Sequence, residues 1–264
     1  MARRDSLKSV MRLIESAKKE LPVEEDFLHD LTRSIELTAI KGQRKPSQSY
    51  KPSSMNCIRN MWYQIVGADQ DDGVVSYSSI GITQSGSDIH ERVQTAVANM
   101  KSNGIDCDYV DVAEFVKSRG LDYLDVIAKQ GMETKLFHKT LNMRFLCDGI
   151  IRYRGKYYIL ELKTETSSKW YSRSGVDPKH YNQGTAYSIA FGLDNVIFVY
   201  INRDFLTMKS FMFTVTDDMK QSLIGKIEEC DQYVKSLKVP PKPEDAGNKL
   251  CTYCAYRSRC DAEI

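Results

Sequence analysis

The stretch "FLCDGIIRYRGKYYILELKTE", residues 145–165, carries charge where a buried hairpin has no use for it. Two apolar, aromatic-rich runs flank Arg154-Gly155, yet Asp148, Glu161 and Lys163 stand inside them in place of Val or Ile. If Arg154-Gly155 is a two-residue turn, Tyr153 pairs with Lys156 and, counting outward, Asp148 faces Glu161. Their Cβ atoms then lie about 4.5–5.5 Å apart, a like-charge pairing that destabilises the sheet unless something positive sits between them. A divalent cation is the economical candidate, and hard oxygen ligands suit Mg²⁺ or Mn²⁺. Lys163 projects from the same face by the two-residue strand period. A partly desolvated lysine there can orient a water or help deprotonate it. A three-residue turn would put the two acids on opposite faces, and a sheet edge guarded by surface charges would need no cation.

Sulfur supplies a second set of ligand-type residues. Of the seven cysteines, Cys251, Cys254 and Cys260 form C-x2-C-x5-C, while Cys57, Cys107, Cys147 and Cys230 are scattered. A disulfide framework is not expected in a reducing compartment, and the spacing points to a metal. Four thiolates suit zinc or an iron-sulfur cluster.

The elements that must hold these groups follow from apolar spacing. Residues 5–19 and 24–40 carry apolar positions at helical intervals (Leu7, Val10, Met11, Ile14; Phe27, Leu31, Ile35), with Pro22 between them. Ser53 or Ser54 is placed to cap a helix through "MNCIRNMWYQIVG", with Cys57 in its first turn and Gly67 at its end. "SGSDIHERVQTAVANMK" predicts another, capped by Ser87, with Ile89, Val93, Val97 and Met100 on the buried face. His90 lies about 100° round from Ile89, at the edge of that face. Residues 110–130 read as a helical excursion. "METKLFHK", "MRFLCDGIIRYR" and "KYYILELKTE" read as strands, "HYNQGTAYSIAFG" as a helix, "NVIFVYINR" and "KSFMFTV" as strands, and 217–237 as a long helix. This order predicts an α/β or α+β core, a central mixed sheet flanked by helices and preceded by a helical region.

A chain of 264 residues buries a substantial core, and no apolar run approaches the length of a membrane span. The N-terminus "MARRDSLKSVMRLIESAKKE" starts basic but turns amphipathic at once, without the apolar core of a secretion signal, so a cytoplasmic location is expected. A net charge of +2 does not by itself single out a nucleic-acid partner. Its distribution says more: Lys41, Arg44, Lys45, Lys51 and Arg59 lie together with no acidic residue among them, near Tyr50 and Trp62. Such a stretch suits a loop that tracks phosphates and stacks bases, or a solvated basic loop.

Asp148 and Glu161-Leu162-Lys163 resemble the signature of the PD-(D/E)XK nuclease superfamily, an Asp, a spacer, then Glu-x-Lys. Four further matches narrow the resemblance to the RecB-like exonucleases carrying an iron-sulfur cluster, a group that includes the CRISPR-associated exonucleases and the nuclease domain of AddB. His90 in "SDIHERVQ" stands where the family has a helix-borne metal-ligand His. Glu133 in "METKLF", the first core strand, stands where many members have an additional acid. Gln183 and Tyr187 in "YNQGTAY" match the family's Q-x3-Y helix, and a lone upstream Cys57 with the terminal C-x2-C-x5-C matches the cluster ligand set. Cys147, not Pro, precedes Asp148, a departure that leaves the charge arrangement untouched.

The resemblance implies a restriction-endonuclease-like core over 85–238, after a helical region over 1–84 that holds the basic loop and Cys57. A tail over 239–264 then closes a 4Fe-4S cluster on Cys57, Cys251, Cys254 and Cys260, clamping the C-terminus onto the N-terminal helices. It implies an Mg²⁺- or Mn²⁺-dependent DNA exonuclease, with metal on His90, Asp148 and Glu161 and with Lys163 positioning the water. Glu133, Gln183 and Tyr187 complete the catalytic set, and the imidazole tilts the preference toward Mn²⁺. The implied substrate is single-stranded DNA with a free end, in repair, recombination or bacteriophage DNA processing, with protein partners in a larger complex. Two other readings keep the same core: a non-catalytic DNA- or partner-binding subunit, and an endonuclease. The first fifty residues carry no such resemblance.

Overall fold

The computed structural model describes residues 22–41, 47–71, 76–244, 249–252 and 254–263. The chain divides into two units, one made of residues 45–73 and 83–264, the other of the residues up to 44 together with 74–82. In the smaller unit, helix α1 (Val23–Lys41) begins with Glu24, Glu25 and Asp26, which complement the positive end of the helix dipole. The helix expected over 5–19 lies outside the described residues.

The larger unit carries a central mixed sheet flanked by helices. Its strands are β1 (Cys107–Val110), β5 (Gly149–Tyr153), β6 (Lys156–Glu165), β7 (Asn195–Asn202) and β8 (Met208–Thr214), in the order β1-β5-β6-β7-β8. A smaller antiparallel sheet is formed by β2 (Leu124–Gln130), β3 (Glu133–His138) and β4 (Met143–Cys147). Arg154 and Gly155 both take positive φ, 48° and 77°, as a tight two-residue hairpin demands. The expected register follows, Tyr153 pairing with Lys156 and Gly149 with Leu160. β6 and β7 run parallel, so the chain must cross over between them. Helices α5 (Ser167–Ser172) and α6 (Tyr181–Phe191) lie in that crossover.

Both faces of the sheet are covered, and β6 alternates between them. Ile159 joins the main core with Ala186 and Ala190 of α6 and Leu223 and Ile227 of α7 (Asp217–Lys235). Leu160 and Leu162 join a second core with Ile89, Val93 and Val97 of α3 (Tyr77–Ala98). Glu161 and Lys163 therefore share the face toward α6. That helix comes close because of Gly184: a Cβ there would lie 2.9 Å from the Phe213 ring and 3.3 Å from Phe198.

Four expectations change. "MRFLCDGIIRYR" is not one strand but two, β4 and β5, in different sheets, with Asp148 at the break. Glu133 accordingly opens a strand of the smaller sheet. Between 110 and 130 only α4 (Val112–Ser118) is helical; Gly120, at φ 64°, turns the chain out of it and toward β2. Finally, helix starts move. α3 begins at Tyr77, so Ser87 sits mid-helix with its hydroxyl on the Thr83 carbonyl instead of capping. Ser53 and Ser54 form a 3-10 turn, and α2 (Ile58–Ile65) has Cys57 as its N-cap. Gly67, at φ 69°, follows the end of α2 as expected.

Candidate metal centre and active site

Asp148 occupies the step from one sheet to the other. Its Oδ2 accepts a hydrogen bond from the Leu162 amide at 2.7 Å, which leaves Oδ1 facing His90, 3.6 Å from Nδ1. Glu133 brings Oε1 to 3.9 Å from the same imidazole nitrogen. One ligand atom from each of His90, Glu133 and Asp148 lies within 4.8 Å of the others, a spacing a single cation can bridge.

Beside this group stands Glu161, only 3% exposed. Its Oε1 accepts from Lys163 Nζ at 2.6 Å and from Gln183 Nε2 at 2.7 Å. Its Oε2 is buried with no hydrogen-bond partner among the described residues, a costly state for a carboxylate oxygen and one a cation would relieve. Gln183 is fully engaged: its Oε1 accepts from Lys163 at 2.9 Å and its Nε2 also donates to the Tyr187 hydroxyl at 2.9 Å. Tyr187 in turn donates to the Leu146 carbonyl.

Excess negative charge shapes the protonation of the group. Burial lifts the Glu161 carboxyl to about 7, against the pull of the Lys163 ammonium, and the Asp148 charge adds to the rise. Burial, then Asp148, also raises Glu133. At His90 burial works in the opposite direction, but the bond to Asp148 and the charges of Asp148, Glu161 and Glu133 outweigh it and raise the imidazole. A divalent cation would satisfy the same excess.

The metal set expected from the sequence is His90, Asp148 and Glu161; the group whose ligand atoms lie within 4.8 Å of one another is His90, Glu133 and Asp148. Glu161 stands next to it with one unpartnered oxygen. Lys163 and Gln183 converge on Glu161, and Tyr187 backs Gln183. Gln183 and Tyr187 are both buried, and the chain of bonds from Glu161 runs through Gln183 to Tyr187.

A second buried network, starting two residues beyond Lys163 on β6, went unread in the sequence. Arg173 grips buried Glu165 through two bonds of 2.6 and 2.5 Å and lies 4.3 Å over the Tyr200 ring, whose hydroxyl meets His180. Burial, then the Lys163 and Lys179 charges, pushes His180 down to about 3, so this imidazole is neutral at physiological pH. The i, i+2, i+4 run Glu161, Lys163, Glu165 on one strand face was its only local signal.

Of the basic stretch, only Lys51 and Arg59 have described side chains. Arg44 and Lys45, and the Lys41 side chain, lie outside the described residues. Arg59 is 6% exposed and pairs with Glu263 at 2.9 Å, so it cannot meet a phosphate. Tyr50 is buried with its hydroxyl on Asp231, so it cannot stack a base. Lys51 remains half-buried.

Cys57, Cys251, Cys254 and Cys260 are all free and half-buried. Burial raises the Cys57 thiol and the neighbouring Cys254 and Cys251 raise it further, while Cys260 is raised by burial and then by Cys57 and Cys254. The four share one neighbourhood, and Asn60 Nδ2 donates to Cys254 Sγ at 3.3 Å.

No family model matches this sequence, and no curated protein matches it. Solved structures give distant similarities. The crystal structure of SSO0001 is 16% identical, with a TM-score of 0.47 over 90% of this chain and 98% of that one. LHK-Exo in complex with dAMP is 11% identical, with a TM-score of 0.45 over 73% and 92%. The alkaline exonuclease LHK-Exo from Laribacter hongkongensis is 9% identical, with a TM-score of 0.39 over 73% and 90%. Among the described residues, no helix is long and apolar enough to cross a membrane.

Proposed function

We propose that this chain is a nuclease that hydrolyses DNA phosphodiesters with the help of Mg²⁺ or Mn²⁺ held by His90, Glu133 and Asp148. The observation that carries this reading is the convergence of those three side chains within 4.8 Å, beside a buried Glu161 whose Oε2 has no partner. When bound, such a cation supplies Lewis acidity at a phosphoryl oxygen and eases ionisation of a water near neutral pH. The chain's own groups do the rest. Lys163 donates to Glu161 and Gln183. An ammonium has three N–H donors, so one remains to orient a water and to offset charge growing on the phosphate. Gln183, itself held by Tyr187, fixes the direction of that donor.

The resemblance to RecB-like exonucleases supports single-stranded DNA with a free end as substrate, and repair, recombination or phage DNA processing as setting. The same resemblance, with four half-buried thiols in one neighbourhood, supports a structural 4Fe-4S cluster on Cys57, Cys251, Cys254 and Cys260. Iron content and visible absorption of anaerobically purified protein separate the cluster from zinc.

The deciding experiment is digestion of end-labelled single-stranded DNA by wild type and Asp148→Asn, with and without Mn²⁺. Metal-dependent shortening in the wild type that is lost in the variant is the expected result. Equal inactivity of two proteins that both bind the DNA would overturn it in favour of a binding subunit. Cleavage of circular single strands would make the enzyme an endonuclease.

A further inference from the structure

The carbonyl oxygen of Asp148 belongs to neither sheet, because β4 ends at Cys147 and β5 begins at Gly149. A buried carbonyl outside a ladder must find donors elsewhere. Two side chains supply them: Gln94 Nε2 at 2.7 Å and the Tyr109 hydroxyl at 2.5 Å. Gln94 is 1% exposed and sits on α3 one helical turn after His90, on the same side of the helix. Tyr109 lies on β1, and its hydroxyl is also 3.0 Å from the carbonyl of Met132, the residue just before Glu133. Gly149 makes the approach possible, since a Cβ there would lie 2.8 Å from the Tyr109 ring.

The surroundings of all three candidate ligands meet at one oxygen atom. Asp148 owns it, His90 reaches it through Gln94, and Glu133 follows Met132, whose carbonyl shares the single Tyr109 hydroxyl proton with it. We propose that Gln94 and Tyr109 are positioning residues which, by gripping the Asp148 carbonyl, hold His90, Glu133 and Asp148 at the separation a divalent cation bridges. The inference rests on reading that group as a metal site. Neither residue touches the metal or the substrate, so their removal acts on affinity for the metal and leaves the chemistry of the loaded site intact. A glutamine and a tyrosine that merely filled the core would change stability and leave metal affinity alone.

The test is calorimetric titration of Mn²⁺ into wild type, Gln94→Leu, Tyr109→Phe and Asp148→Asn, with kcat then measured at saturating Mn²⁺. Outer partners of a metal site are worth about ten- to a hundredfold in affinity, so Gln94→Leu is expected to weaken Mn²⁺ binding by that factor, with kcat within about threefold of wild type. Tyr109→Phe keeps the ring beside Gly149 and loses only the hydroxyl, and is expected to weaken binding about tenfold, the lower end of that range. Should Gln94→Leu fail to fold, Tyr109→Phe decides alone. Folded variants with wild-type Mn²⁺ affinity would overturn the inference while leaving the metal site standing. Wild-type protein whose Mn²⁺ binding is absent, or unchanged by Asp148→Asn, would overturn both.

Discussion

Glu161 is the residue at which the needs of folding and of the proposed chemistry conflict most openly. Its carboxyl is buried, one oxygen has no partner, and burial raises its pKa to about 7 despite an ammonium at 2.6 Å. A group whose folded pKa is raised holds its proton more tightly when folded. Its stabilising contribution is therefore full below the ordinary carboxylate range and lost as pH rises through about 7. Metal-free wild type should melt at a lower temperature at pH 8 than at pH 5, and Glu161→Gln should lack that part of the decline. The same variant should lose nuclease activity and, in chelator at pH 8, melt above the wild type, the pattern of a site that trades stability for function. Scanning calorimetry at the two pH values checks both signs, and an unchanged pH slope in the variant would refute the argument. At this scale the sequence was informative where chemistry is local. Asp148, Glu161 and Lys163 were legible because strand period and turn residues act over a few positions. Gln94 was not, because a polar residue within an amphipathic helix looks like its solvent face until its partner, the Asp148 carbonyl, is seen. Arg59 misled for the same reason: it reads as a surface base, and its counter-charge Glu263 is remote in the chain.

Among the elements, α6 matters most to the site, because it carries Gln183 and Tyr187 across the face of β6. Its depth is set by Gly184, where an added methyl would meet the Phe213 ring at 2.9 Å. Gly184→Ala should force the helix outward and cost about 1–3 kcal/mol, the usual penalty for overpacking. Because Gln183 rides on that helix, activity should fall more steeply than stability. Denaturant unfolding and cleavage rates measured together test this, and a variant with normal activity would show that α6 does not set the Gln183 position. The β5–β6 hairpin was legible, since Arg154-Gly155 defines both its turn and its register. The break within "MRFLCDGIIRYR" was not. Apolar character runs through it, and only pairing of β4 with β3 and of β5 with β6 shows that Asp148 links two sheets. A strand at 124–130 was likewise hidden, being largely exposed along its length and defined by its pairing with β3.

Across the larger unit, the chain's C-terminal residues are seated by ordinary contacts as well as by any cluster. Tyr256 stacks on Tyr63 at 5.2 Å, Glu263 accepts from Arg59 at 2.9 Å and from the Tyr63 hydroxyl at 2.5 Å, and Asp71 bonds the amide of Ser258 at 2.8 Å. The sequence suggested that the cysteines alone recruit this tail. The structure adds an aromatic and ionic seat on α2 and the loop after it, which also explains where the basic residue Arg59 is spent. The whole arrangement places a carboxylate-rich centre at the junction of two sheets, with both sheets and α3 contributing to it. The most direct test of that centre is anomalous diffraction from crystals soaked in Mn²⁺. The expected result is a peak within about 2.0–2.5 Å of His90, Glu133 and Asp148 together. A Mn²⁺ peak bound elsewhere, with these three side chains left empty, would contradict it.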